Sequence, residues 1–161
     1  MTDSELAAVK NALDYDPDTG IFRRRHNTSR LGRAGSVAGG LNAEGYRYIK
    51  IGPKCYKANR LAWLYVHGAW PTVLIDHING RKDDDRIANL RPCTNAENCQ
   101  NRSRAKGAYK TKKGPGYFSV VTVDGTRHYL GRFKTAELAR AAYVEAKERL
   151  HPFQNIENIA R

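Results

Sequence analysis

The sequence predicts an α+β protein. Short strands and a helix come first, a ββα unit follows, and a three-stranded antiparallel sheet packed on one helix ends the chain. Three observations lead there. Apolar runs are short and β-branched or aromatic, as in Tyr46–Ile51 and Tyr117–Val123. Turn signals sit between neighbouring runs: Asp16-Pro17-Asp18-Thr19-Gly20, Gly52-Pro53-Lys54 and Asp124-Gly125. Helical periodicity is confined to a few segments, the clearest being the one after Thr135.

Taken in order, Leu6, Val9 and Leu13 recur at helical spacing, with Ser4 as N-cap. Tyr15 and Ile21-Phe22 are the arms of a hairpin around the first turn. Arg23-Arg24-Arg25-His26 reads either as a charged edge or as a phosphate-contact patch. Gly32 to Gly45 is loop, with a short strand at Ser36-Val37-Ala38. Tyr46–Ile51 and Cys55–Ala58 are paired strands. Asn59 caps a helix from Arg60 to His67, and Gly68 ends it. Trp63 and Trp70 read as core.

Val73, Leu74 and Ile75 deliver Asp76 and His77 on a strand. Arg81-Lys82-Asp83-Asp84-Asp85-Arg86 reads as a salt-bridged, solvated loop, because adjacent carboxylates point in different directions and cations flank them. Leu90 to Cys93 returns as a brief strand. Thr94-Asn95-Ala96-Glu97 fits a capping box, which places Asn98 at the start of a helix, where the dipole favours phosphate. Residues 102–107 read as a basic linker. Beyond it come strands at Tyr109–Thr111, Tyr117–Val123 and Thr126–Leu130. A helix from Thr135 to about Leu150 follows, with Leu138, Ala139, Ala142, Tyr143, Ala146 and Leu150 as its apolar stripe. Alternation turns Tyr117, Ser119, Val121 and Leu130 toward that helix and Val120, Thr122, Arg127 and Tyr129 away from it. The expected organisation is 1–45 as an N-terminal hairpin and loop region, 46–101 as the core module, 102–107 as linker and 108–155 as the sheet-and-helix module.

The 161 residues carry 28 Lys and Arg against 16 Asp and Glu, a formal net charge of +12. Such an excess favours a polyanion, with nucleic acid first and an anionic membrane surface second. No apolar run reaches the roughly 20 residues of a membrane span. The first ten residues, with Asp3 and Glu5, lack the layout of a signal peptide, so a soluble intracellular protein is expected. Cys55, Cys93 and Cys99 have neither an even count nor a C-x-x-C spacing, and read as free, mostly buried thiols.

The chemistry concentrates in the segment 74–101, LIDHINGRKDDDRIANLRPCTNAENCQN. A phosphodiester resists hydrolysis because its charge repels nucleophiles and its alkoxide leaves poorly. A hard divalent cation relieves both problems. One carboxylate and one amide oxygen are enough protein ligands for Mg²⁺, which keeps several waters. Asp76 and Asn98 can supply them, and neutral His77 can take a proton from water near neutral pH. In a strand Asp76 and His77 face opposite ways, and the Asn79-Gly80 turn is expected to re-aim one of them.

Residues 46–101 resemble the HNH endonucleases, which share a ββα-metal site. The resemblance rests on Arg60-Leu61-Ala62-Trp63, Asp76-His77-Ile78-Asn79-Gly80, Arg86 with Asn89-Leu90-Arg91, and Asn98. It implies Asp76 and Asn98 as ligands of a single divalent ion, Mg²⁺ or Mn²⁺. It also implies His77 as general base and Asn89 as a further active-site residue that braces the loop. The Asp with a final Asn is similar to free-standing phage and intron-borne homing enzymes. Two positions depart from the pattern: Asn59 stands where relatives often carry His, and Asp85 where they often carry Asn.

Residues 106–155 resemble the Apetala-two (ethylene-response-factor) DNA-binding domain, through Gly107-Ala108-Tyr109, Tyr129-Leu130-Gly131-Arg132-Phe133 and Thr135-Ala136-Glu137 with Ala141-Ala142-Tyr143. The likeness implies a sheet laid in the major groove of duplex DNA, with Tyr109, Thr111, Arg127 and Tyr129 facing it. Arg127 is the expected base reader. Lys110, Lys112, Lys113 and Arg132 would bind phosphates. The basic residues Arg60, Arg86, Arg102, Arg104 and Lys106 complete the expected DNA contacts. The combined expectation is a metal-dependent DNA endonuclease acting as a monomer or a DNA-induced dimer, without a membrane partner, in the cytoplasm of a cell hosting a phage or mobile element. Two other readings stand beside it: a DNA-binding regulator with an inactive HNH fold, and a basic structural or RNA-binding protein.

Overall fold

The computed structural model describes residues 3–29, 32–101, 107–112, 114–123, 125–151 and 153. It is a mixed α+β chain of short antiparallel sheets and helices, and it divides into two compact units, Met1–Cys93 and Thr94–Arg161.

The first unit begins with α1 (Asp3–Ala12), β1 (Leu13–Asp16) and β2 (Ile21–Arg24). The carboxylate of Asp16 forms the β1–β2 turn by accepting from the Asp18 amide at 3.0 Å and the Thr19 hydroxyl at 2.7 Å. Then come β3 (Gly40–Leu41), β4 (Arg47–Ile51) and β5 (Lys54–Lys57), which make one antiparallel sheet in the order β3-β4-β5. The expected strand at 36–38 is a single bridge between Arg23 and Val37. The Arg23–Arg25 run serves the fold. Arg23 donates to the Gly35 carbonyl, and Arg25 pairs with Asp14 at 3.0 Å.

Helix α2 (Ala58–His67) follows β5 without a loop, so its N-cap is Lys57 and makes no side-chain cap bond. Asn59 therefore lies inside the first turn, not at the cap. Gly68, in the left-handed region at φ 74°, ends the helix as expected and donates to the Leu64 carbonyl. A hairpin of β6 (Leu74–His77) and β7 (Leu90–Cys93) closes the unit, with Asp76 opposite Arg91 and His77 opposite Leu90. Leu13, Phe22, Ile49, Leu61, Leu64 and Leu90 share one core. The N-terminal hairpin is thus built into the same body as β6–β7.

The second unit holds α3 (Asn95–Gln100), β8 (Tyr109–Lys110), β9 (Tyr117–Val123), β10 (Thr126–Phe133) and α4 (Ala136–Leu150). The capping box of α3 is complete: the Glu97 amide donates to the Thr94 hydroxyl, and the Thr94 amide donates to the Glu97 carboxylate at 2.7 Å. Thr94→Ala removes half of it and is expected to cost about 1 kcal/mol. Chemical denaturation of the two proteins checks this, and an unchanged midpoint would count against the cap. The far end of α3 is tied to α4 by Lys147, whose ammonium donates to the Gln100 carbonyl at 2.9 Å. That bond explains why α3 groups with the C-terminal elements.

The sheet runs in the order β10-β9-β8. Strand β10 continues to Phe133, past the expected end at Leu130, because a register shift between Tyr129 and Gly131 absorbs one residue. Ser119 and Val121 are buried against α4. The α4 stripe differs from the expected one: Leu138 is 53% exposed, whereas Lys147 is buried with its ammonium 5.7 Å from the Tyr143 ring centroid. Of the linker 102–107, only Gly107 falls among the described residues. None of the three cysteines is in a disulfide, and only Cys93 is buried; Cys55 and Cys99 are exposed.

Candidate active site

Asp76 and His77 occupy the end of β6, and both are buried, at 9% and 4% exposure. Two elements place them there. On one side β7 pairs in register with β6. On the other, the Asn59 side chain donates to the Ile75 carbonyl at 3.1 Å and accepts from the Arg60 amide. Asn59 thus pins the residue before Asp76 to the first turn of α2.

The adjacent side chains take different partners. Asp76 accepts from the Arg91 guanidinium, its cross-strand neighbour, at 3.0 and 3.2 Å. His77 Nε2 lies 3.2 Å from Asp85 Oδ1, and that carboxylate is 2% exposed. Two of the three adjacent aspartates behave as expected. Asp83 pairs with Arg81, and Asp84 pairs with both nitrogens of Arg86 at 2.7 Å. Arg86 holds the Asp84 carboxyl down at about 2. Asp85 overturns the expectation of a solvated run, since it turns inward onto His77. Burial pushes its carboxyl above the usual range, opposed by His77 and Arg47.

The loop between β6 and β7 is held by Asn89. Its side-chain oxygen accepts from the Asn79 amide, and its NH₂ donates to the Asn79 side chain and the Asp84 carbonyl. The Ile78 amide donates back to the Asn89 carbonyl at 2.9 Å. Gly80, at φ 70°, donates to the His77 carbonyl and makes the tight turn after the strand. The N-terminal hairpin grips the far side of this loop. The Tyr15 hydroxyl donates to the Asp85 carbonyl at 2.7 Å, and the Ile87 amide donates to the Pro17 carbonyl.

A basic rim lies beside His77. The Tyr46 ring is 6.0 Å from the imidazole, and the ammonium groups of Lys57 and Lys82 lie over that ring at 4.3 and 4.7 Å. Neither lysine stands out in the sequence, because the strand register and the loop fold bring them to Tyr46. Arg60 has a different task from the expected phosphate contact: it donates to the Val73 and Pro71 carbonyls and clasps the entry to β6. Arg86 is likewise engaged with Asp84. Asn98 lies on α3, in the second unit, and is half-buried.

In the second unit, Tyr109, Phe118 and Tyr129 stack across the three strands, with ring centroids 5.5 and 6.5 Å apart. Tyr129 is 60% exposed. Arg127 pairs with Thr122 and Arg132 with Phe118, so both stand on that open face. Thr111 does not present its hydroxyl there; it donates to the Gly114 and Gly116 carbonyls within the β8–β9 turn. Lys110 and Lys112 are on β8 and in that turn, while Arg102, Arg104, Lys106 and Lys113 lie outside the described residues. Residues 107–134 carry six Lys and Arg against one Asp, whereas α4 carries three of each sign, so the positive charge segregates to the sheet.

Among the described residues no helix is long and apolar enough to cross a membrane. Nor do three or more His, Cys, Asp or Glu side chains among them form a group that could hold a metal ion. Asp76 offers a carboxylate, a hard oxygen ligand whose orientation Arg91 fixes. Its chemistry suits a hard divalent cation, which takes oxygen ligands. Residues 56–100, from β5 to the end of α3, match the family model HNH_3, described as HNH endonuclease. No curated protein and no solved structure matches the chain.

Proposed function

We propose that the chain is a metal-dependent DNA endonuclease of the phage or homing HNH type, aimed at duplex DNA by its C-terminal sheet. The observation that carries this reading is the match of residues 56–100 to the HNH endonuclease family. It coincides with the stretch where Asp76 and His77 emerge together from one strand. Asp76 is the ligand drawn from β6, and Asn98 joins it on the strength of the sequence pattern. The ion, when bound, polarises the phosphoryl oxygen and stabilises the leaving alkoxide.

The remaining tasks fall to the chain's own groups. His77 accepts a proton from the attacking water near neutral pH. Asn89 keeps the loop from shifting under it. Lys57 and Lys82, beside His77, neutralise phosphates flanking the scissile bond. In the second unit, Tyr109, Arg127, Tyr129 and Arg132 form an Apetala-two-like face for DNA, with Lys110 and Lys112 on phosphates.

A second reading has two observations in its favour. His77 is almost fully buried and Asp76 is already engaged by Arg91, as in a nuclease fold kept only for binding DNA. Supercoiled plasmid separates the two. With Mg²⁺ or Mn²⁺ the protein is expected to convert it to nicked or linear DNA, and EDTA is expected to stop the conversion. A plasmid that stays supercoiled while the protein binds it would leave the regulator as the answer.

A further inference from the structure

Among the described residues Asp85 is the one acidic side chain of the first unit that is fully enclosed, and its surroundings are elaborate for a loop residue. Its backbone carbonyl accepts from the buried Tyr15 hydroxyl, 70 positions earlier in the chain. Gly20, at φ +73°, lies so close that an added Cβ would fall 2.6 Å from the Asp85 carbonyl carbon and 2.4 Å from the Arg86 nitrogen. The next turn is held through Ile87 and Pro17. Among the described residues the second carboxylate oxygen, Oδ2, has no hydrogen-bond partner. A carboxylate buried with one oxygen unsatisfied is costly, and folding alone would be better served by an apolar side chain. Its other oxygen, Oδ1, lies 3.2 Å from His77 Nε2.

We propose that Asp85 is a positioning residue for His77: its carboxylate holds the imidazole with the proton on Nε2 and the lone pair on Nδ1. An ionised carboxylate can only accept, so the ring nitrogen facing it must carry the hydrogen. The other nitrogen then has the lone pair that a general base needs. The β1–β2 hairpin completes the device by clamping the Asp85 backbone, so that the carboxylate does not drift from the ring. This assignment rests on the nuclease reading for its purpose, though not for its geometry.

The test uses the whole chain in three forms: wild type, Asp85→Ala and Asp85→Asn. The first readout is the ¹⁵N spectrum of the His77 ring at about pH 8. The wild type is expected to show the Nε2–H form alone. Asp85→Ala is expected to show a mixture of the two tautomers, which a merely space-filling role would not produce. The second readout is cleavage under single-turnover conditions. It is expected to fall about 10²-fold or more in Asp85→Ala, with DNA affinity unchanged, as when a carboxylate that orients a catalytic imidazole is removed. Asp85→Asn keeps the shape but can turn an NH₂ as well as an oxygen toward the ring, so it too is expected to admit the Nδ1–H form and to slow cleavage, and it serves if the alanine variant does not fold. A wild-type spectrum with the proton on Nδ1, or tautomers indifferent to both substitutions, would overturn the proposal. If the spectra behave as expected but the wild-type protein cuts no DNA with any divalent ion, the nuclease reading fails and the positioning role stands.

Discussion

His77→Ala is expected to remove DNA cleavage, lowering the rate by about 10²- to 10⁴-fold, the contribution typical of a placed general base. DNA binding should stay close to that of the wild type, because the basic sheet of the second unit and the lysines over Tyr46 are untouched. The substitution also leaves the Asp85 carboxylate enclosed without its imidazole, a loss of about 1–3 kcal/mol for an unsatisfied buried acceptor. Cleavage must therefore be read at a temperature where the variant is folded, as established by its thermal unfolding curve. Single-turnover rates on plasmid and a mobility-shift titration give the two quantities. A folded His77→Ala protein that cuts as fast as the wild type would end the assignment of the base.

Gly20→Ala is expected to destabilise the first unit by about 2–5 kcal/mol. Left-handed backbone costs alanine about 1–2 kcal/mol, and forcing a methyl into filled space adds about 1–3 kcal/mol. Here the space is filled by backbone, the Asp85 carbonyl carbon and the Arg86 nitrogen, which cannot swing aside as a long side chain would. Gly52→Ala is the control. Its φ is also positive, at +56°, yet nothing lies within 4 Å of the added carbon, so only the backbone cost applies. Unfolding midpoints in urea give the comparison, and equal shifts for the two variants would mean that the hairpin does not press on the Asp85 loop. Because that loop carries the partner of His77, Gly20→Ala should also depress cleavage from a position without chemistry of its own.

Features dictated by neighbours in the chain are legible in the sequence. The turn at Asp16–Gly20, the Gly68 stop, the Thr94 capping box and the Thr135 cap on α4 each involve groups a few residues apart. The β6 strand with Asp76 and His77, and the match of 56–100 to one family, belong to the same class. The fates of charged and polar side chains were not legible, since they depend on what folding brings near. Asp83, Asp84 and Asp85 are identical in type and adjacent, yet one is exposed, one is bound to Arg86 and one is sealed against His77. Arg60 and Asn59 look like a DNA contact and a helix cap, but carbonyls at the entry to β6 claim both. Lys147 is drawn inward by a carbonyl on α3 while Leu138 on the same helix stays out.

By itself, then, the amino-acid order determined most of the elements and the turns and caps that bound several of them, because hydrogen bonds and periodicity within a short span decide those. Tertiary structure alone decided that Asp85 belongs to His77 and that a hairpin from the chain's beginning holds it there. A carboxylate's environment is set by groups distant in sequence, whose arrival no local pattern encodes.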